Sequence, residues 1–274
     1  MAGLSISRAW EETKAKLASD GRLMTIVAAA LLLLPQALVS TLTPPEQLSG
    51  VAPAGALTLL ALVAALVGLV GQIAIIRLAL VESTSVGEAI GHGVRRFLPA
   101  FLAALLLIVA ICIVLIPILL LFGATAALTE GDPSRMTGTV LIAAVLIIVL
   151  AVLVAPRFLM MMPVATAEQG GPVHILKRSW TLGGGHYFRL LAFMLLVLVA
   201  AVVIVFATEF VFGSVLKIAF GNLEPMSLGA LLYGLLFGAF QAGFGMVMSV
   251  MLARIYVQLS GQGGLDVSVP KSGT

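Results

Sequence analysis

Residues 100–122 read AFLAALLLIVAICIVLIPILLLF, with no charged side chain in the run. A helix needs about 20 apolar residues to cross roughly 30 Å of hydrocarbon. No water is present there to satisfy backbone N–H and C=O groups, so such a run must be helical. Five further blocks share this character: 23–42, 56–76, 139–155, 190–212 and 228–253. Composition agrees. Of 274 residues 61% are hydrophobic and 10% charged, whereas a soluble domain carries about 25% charged residues. The predicted fold class is an all-α membrane protein with six transmembrane helices.

The first block follows a long segment containing Glu11, Glu12 and Asp20. A signal peptide has a short basic leader instead, so an uncleaved first span is expected. Pro35 and Pro117 lie inside spans 1 and 3 and are expected to kink them, because proline removes a donor and crowds the preceding turn. The single cysteine, Cys112, excludes an intrachain disulfide and a cysteine-based metal site.

Charge fixes the expected orientation. Of the 15 Lys and Arg residues, all but Arg135 and Lys217 fall in segments on one side of the six spans. By the positive-inside rule both termini lie in the cytoplasm, as in a multi-pass protein of a bacterial inner (plasma) membrane. The expected organisation is a cytoplasmic interfacial helix within 1–22, a transmembrane domain over 23–258, and a Gly- and Ser-rich disordered tail over 259–274.

Three polar segments read as amphipathic interfacial helices: residues 5–20, Ser85–Phe97 and Val173–Leu182. In the first, Ile6, Trp10, Thr13 and Leu17 share a face at helical spacing, with Arg8, Lys14 and Lys16 off it. In the second, Ser85-Val86-Gly87-Glu88 is a capping box. Each segment precedes two spans, and an Arg closes the second span of each set: Arg77, Arg157 and Arg254. This is a threefold internal repeat. These arginines either snorkel to lipid phosphates or converge on one site.

The candidate residues for binding a lipid headgroup or partner are Arg77, Arg95, Arg96, Arg157, Lys177, Arg178, Arg189 and Arg254. Gln72, Glu209 and Gln241 are the intramembrane polar candidates. Gln72 and Gln241 suit interhelical hydrogen bonds, and Glu209 is functional by default or reaches the interface. His92, His174 and His186 lack the spacing of a metal site, so no metal or cofactor is expected. Gly183-Gly184-Gly185 lacks a P-loop ending and reads as a hinge. Gly234-x-x-x-Gly238-x-x-x-Ala242 and Ala64-x-x-x-Gly68 suit close helix packing within the bundle.

The chain also resembles the membrane-domain family attached to glycerophosphoryl diester phosphodiesterases and related stand-alone bacterial inner-membrane proteins. The resemblance rests on Pro163–Gly170, Ile175–Leu182, the Ser85–Phe97 helix and Ala253-Arg254-Ile255-Tyr256. It implies a fold more than an activity, and no catalytic residue of that family transfers to any position here. The expected function is therefore non-enzymatic: binding of membrane lipids, or of a protein partner at the cytoplasmic face, through the basic helices. The alternative is a transporter or flippase for a lipid-derived or amphiphilic solute. Nothing argues for nucleic acid.

Overall fold

The computed structural model describes residues 4–43, 55–128, 133–221 and 226–261. It is 90% helical, and no strand occurs among the described residues. The helices in chain order are α1 (Ile6–Ala28), α2 (Leu34–Leu42), α3 (Ala56–Leu80), α4 (Val86–Leu128), α5 (Pro133–Phe158), α6 (Met161–Ala167), α7 (Pro172–Gly184), α8 (Tyr187–Ala207), α9 (Ser214–Phe220) and α10 (Leu228–Ser260). Six helical stretches among the described residues are long and apolar enough to cross a membrane: Ile6–Leu42, Ala56–Leu80, Val86–Phe122, Leu141–Ala167, Tyr187–Ala207 and Leu228–Ser260.

Three of these, of 37, 37 and 33 residues, exceed a bilayer core by the most. The 37 residues of Ile6–Leu42 extend about 55 Å at 1.5 Å per residue, against roughly 30 Å of hydrocarbon. The excess of this helix and of α4 is their basic N-terminal part. The first two amphipathic segments are therefore the protruding ends of spanning helices, with no helix boundary at residue 22. The third is a helix of its own, because α7 stops at Gly184 and α8 begins at Tyr187. Glycine is the poorest helix former after proline, and the Gly183-Gly184-Gly185 run makes this break where the other two segments have none.

Pro35 acts as its chemistry requires. A π-helical turn over Ala29–Leu33 precedes it and joins α1 to α2. The widened turn absorbs the hydrogen bond that proline cannot donate. A second π-turn, Thr208–Gly213, continues α8 towards α9. Pro99 and Pro117 both lie within α4.

The chain forms two compact units. One comprises Met1–Phe97 and Ala192–Thr274, the other Leu98–Leu191. In the first, α1, α2, α3 and α10 pack on one another, and the buried core includes Met24, Val27, Ile73, Ile75, Ile76, Ile255 and Tyr256. Gly234, Gly238 and Ala242 are buried, and Gly234 and Gly238 face α2 and the π-turn. A Cβ on Gly238 would come within 3.3 Å of the Leu33 carbonyl oxygen, and one on Gly234 within 3.1 Å of that of Ala37. The small-residue stripe thus lets two backbones meet inside the unit. In the second unit α7 packs on α5 and on α6, and Tyr187 Oη donates to the Val152 carbonyl at 2.9 Å. Cys112 faces outward on α4.

Candidate functional site

The buried face of α1 shares only Thr13 with the apolar stripe Ile6, Trp10, Thr13 and Leu17. Ala9 and Thr13 are fully buried and Lys16 is 7% exposed, while Trp10 is 42% exposed. The physical reason is distance. A helix that lies close on its neighbour selects small residues at the contact, and the large Trp10 is turned away. The same selection recurs in the other two amphipathic segments. Ala89 is buried, and a Cβ on Gly93 would sit 2.8 Å from the Val70 carbonyl oxygen of α3. Ser179 is buried, and a Cβ on Gly183 would sit 2.7 Å from the Arg157 Cα of α5.

The shared element is thus a small-x-x-x-small pair: Ala9/Thr13, Ala89/Gly93 and Ser179/Gly183. Each lies on a segment packed against a second span that carries an Arg: α10 for α1, α3 for α4, and α5 for α7. Large-residue periodicity cannot detect this pattern. One readable signal was present. The chain has two tryptophans, and both directly follow the first small residue of a pair, as Trp10 and Trp180.

The three repeat arginines have separate local settings. Arg77 lies at the end of α3 and shares a polar cavity of about 510 Å³ with Arg95, His92, Thr84, Glu88, Gly87 and Gly91. The start of α4 shapes this cavity. The Ser85 N–H donates to Glu88 Oε2 at 3.0 Å, and the Glu88 N–H donates to Ser85 Oγ at 3.3 Å. This is the expected capping box, and it occupies the Glu88 carboxylate with a backbone donor. Neither Arg77 nor Arg95 has an ion pair among the described residues, and a Cβ at Gly87 or Gly91 would meet nothing within 4 Å. The cavity is therefore open, glycine-walled and rich in cationic donors. Arg96 is half-buried beside it in sequence.

Arg254 lines another polar cavity, about 490 Å³, with Glu12, Lys16, Asp20 and Glu82 among its walls. Lys16 Nζ pairs with Asp20 Oδ2 at 2.5 Å. Arg254 Nε and Gln258 Nε2 are buried without a hydrogen-bond partner, while Gln258 Oε1 accepts the Ser5 N–H at 3.0 Å.

Arg157 lies over the Trp180 ring, 4.2 Å from its centroid, as a guanidinium prefers an aromatic face. Ser179 Oγ donates to the Arg157 carbonyl at 3.0 Å, and Phe158 meets Trp180 with ring centroids 5.5 Å apart. Arg178 Nε reaches Glu168 Oε1 at 2.8 Å, with His174 Nε2 3.9 Å from Oε2 of the same carboxylate. Lys177 and Arg189 are exposed. Arg157 belongs to a different compact unit from Arg77 and Arg254, and each arginine is built into its own surroundings.

The intramembrane candidates fall out differently. Gln241 is exposed and Gln72 half-buried, and neither makes a hydrogen bond among the described residues, so the expected interhelical bonds do not form there. Glu209 belongs to the π-turn Thr208–Gly213, and its side chain lies outside the described residues, as does that of Lys217. The tail beyond Gly261 and most of the 43–54 loop also lie outside them. Among the described residues no three His, Cys, Asp or Glu side chains are placed to share a metal ion.

No curated protein and no solved structure matches the chain. Nothing in the comparisons links it to the glycerophosphoryl diester phosphodiesterase membrane domains, so that resemblance gives way to the match that is found. Residues 5–259 match the family described as Domain of unknown function (DUF7847), and the chain belongs to that family.

Proposed function

We propose that this integral membrane protein is non-enzymatic and binds the anionic headgroups of membrane lipids at the junction of α3 and α4. The observation that carries this reading is the cavity holding Arg77 and Arg95, neither within salt-bridge distance of a carboxylate among the described residues, open at two glycines and with Glu88 engaged by its capping box. Arginine presents a planar fork of donors that matches phosphate oxygens. A cation near an anionic membrane surface contributes about 1 kcal/mol, so the pair is expected to contribute about twice that.

The finer placement is a bacterial inner membrane with both termini cytoplasmic. It is supported by the Lys and Arg asymmetry and by the basic protruding ends of α1 and α4, which suit an anionic cytoplasmic leaflet. The basic surface of Lys177 and Arg189 extends the same reading to lipid, or to an acidic protein partner at that face.

The test is lipid exchange into nanodiscs containing the full chain. Mixed phosphatidylglycerol and phosphatidylcholine are supplied, and the lipid retained after delipidating washes is measured at low and high salt. Phosphatidylglycerol enrichment that falls with salt, and that Arg77→Ala with Arg95→Ala removes, supports the reading. Unchanged enrichment in the double variant refutes it.

A further inference from the structure

Arg157 is a cation at the end of an apolar span, and among the described residues its guanidinium has the Trp180 ring as its partner and no carboxylate. The other neighbour of Trp180 is a groove. An apolar groove of about 670 Å³ is lined by Ala110 and Val114 of α4, by Ala151 and Val154 of α5, and by Trp180. Its size lies in the range of about 300–1,000 Å³ usual for small-ligand sites. One aromatic ring therefore lines an apolar groove and carries a positive charge that has no carboxylate partner among the described residues.

We propose that this groove in the second unit is a binding site for an anionic phospholipid, with one acyl chain along α4 and α5 and the headgroup phosphate on Arg157. The two halves of the site match the two halves of such a lipid. The groove wall is apolar and belongs to helices that cross the membrane, which suits a tail. The guanidinium needs an anion, and the Trp180 face holds it by a cation–π contact that leaves its N–H edge free to bind phosphate oxygens. Tryptophan is favoured at the level of the headgroups, where one side is apolar and the other wet. This site is separate from the cavity of Arg77 and Arg95.

The first unit supplies an internal comparison. A groove of about 870 Å³ there is lined by Ala200 and Ile204 of α8, by Gly243 and Val247 of α10, and by Trp10. Trp10 follows buried Ala9 as Trp180 follows buried Ser179. The walls and the tryptophan are repeated, but among the described residues no guanidinium lies over Trp10. Such a groove takes an acyl chain without selecting its headgroup.

The experiment uses the full chain in vesicles, with a photoactivatable group on the acyl chain of either phosphatidylglycerol or phosphatidylcholine, and mass spectrometry of the labelled peptides. Phosphatidylglycerol is expected to label residues 107–115 and 147–159 about fivefold more than phosphatidylcholine, the factor expected from one cation near an anionic headgroup. The groove of α8 and α10 is expected to label equally with both. Arg157→Gln is expected to abolish the preference in the second unit, while Arg77→Ala with Arg95→Ala leaves it intact. Inorganic phosphate is expected not to compete. Equal labelling by both lipids in the unaltered protein overturns the proposal, as ordinary surrounding lipid. So does the same preference in both grooves, or a preference that survives Arg157→Gln. The comparison within the unaltered protein decides even where the variant fails to fold.

Discussion

Gly183→Ala tests the packing on which the Arg157 surroundings depend. A Cβ at this position would lie 2.7 Å from the Arg157 Cα and 3.0 Å from its carbonyl oxygen. Both are backbone atoms, so no rotamer change relieves the clash, and α7 must move away from α5. Restoring an ordinary contact of 3.4 Å from 2.7 Å requires a shift of several tenths of an ångström. That shift also stretches the 3.0 Å hydrogen bond from Ser179 to the Arg157 carbonyl. Overpacking costs about 1–3 kcal/mol and the lost hydrogen bond about 1, while alanine recovers about 1 through helix propensity. The expected net loss is about 1–3 kcal/mol. Gly184 is the control, because a Cβ there meets nothing within 4 Å. Gly184→Ala is expected to be neutral or to stabilise by up to about 1 kcal/mol. Thermal unfolding of the purified variants in nanodiscs, followed by tryptophan fluorescence, measures the difference. Equal Tm values for the two variants would refute the close approach of α7 to α5.

Other outcomes follow from single contacts. Ser85→Ala removes half of a capping box and is expected to destabilise the start of α4 by about 1 kcal/mol, read as faster amide exchange over residues 86–91. Asp20→Asn deprives the nearly buried Lys16 of its carboxylate. The pair is partly solvated at Asp20, so the expected loss is about 1 kcal/mol rather than the larger figure for a fully buried pair, measured as a lowered Tm. Gly238→Leu drives a side chain against the Leu33 carbonyl and is expected to cost about 1–3 kcal/mol by overpacking; a Tm equal to that of the unaltered protein would contradict the contact. A fluorescent-protein fusion at the C-terminus is expected to fluoresce and an alkaline phosphatase fusion to be inactive, as a cytoplasmic end requires. The reverse pattern overturns the orientation.

Hydrocarbon thickness and the absence of water inside it leave few solutions for a chain this apolar. The six helices were therefore legible in uncharged runs such as residues 100–122, because that constraint acts on sequence directly. The capping box at Ser85 and Glu88 was legible for the same kind of reason: its partners are three residues apart, and the geometry is local. The recurring arginines Arg77, Arg157 and Arg254 were visible in the sequence, but their surroundings were not.

Tertiary packing decided the rest. Apolar periodicity grouped Trp10 with Thr13 on one face of α1, and the fold buries Thr13 together with Ala9 and Lys16 while Trp10 stays exposed. In a membrane the outward face is as apolar as the core, so hydrophobicity no longer marks the inside. What marks it is size, since two backbones approach only where side chains are small, as at Gly93 and Gly183. Gln241 looked like an interhelical donor and is exposed, because a helical position gains a partner only if a neighbour faces it. Pairing Arg157 with Trp180 needed two segments 23 positions apart to meet, which depends on α7 folding back onto α5. The sequence by itself determined how often the chain crosses the bilayer and where its charges lie; only the tertiary structure decided which cations keep an ion partner and which are left with an open cavity or an aromatic ring, because that depends on which helix faces meet.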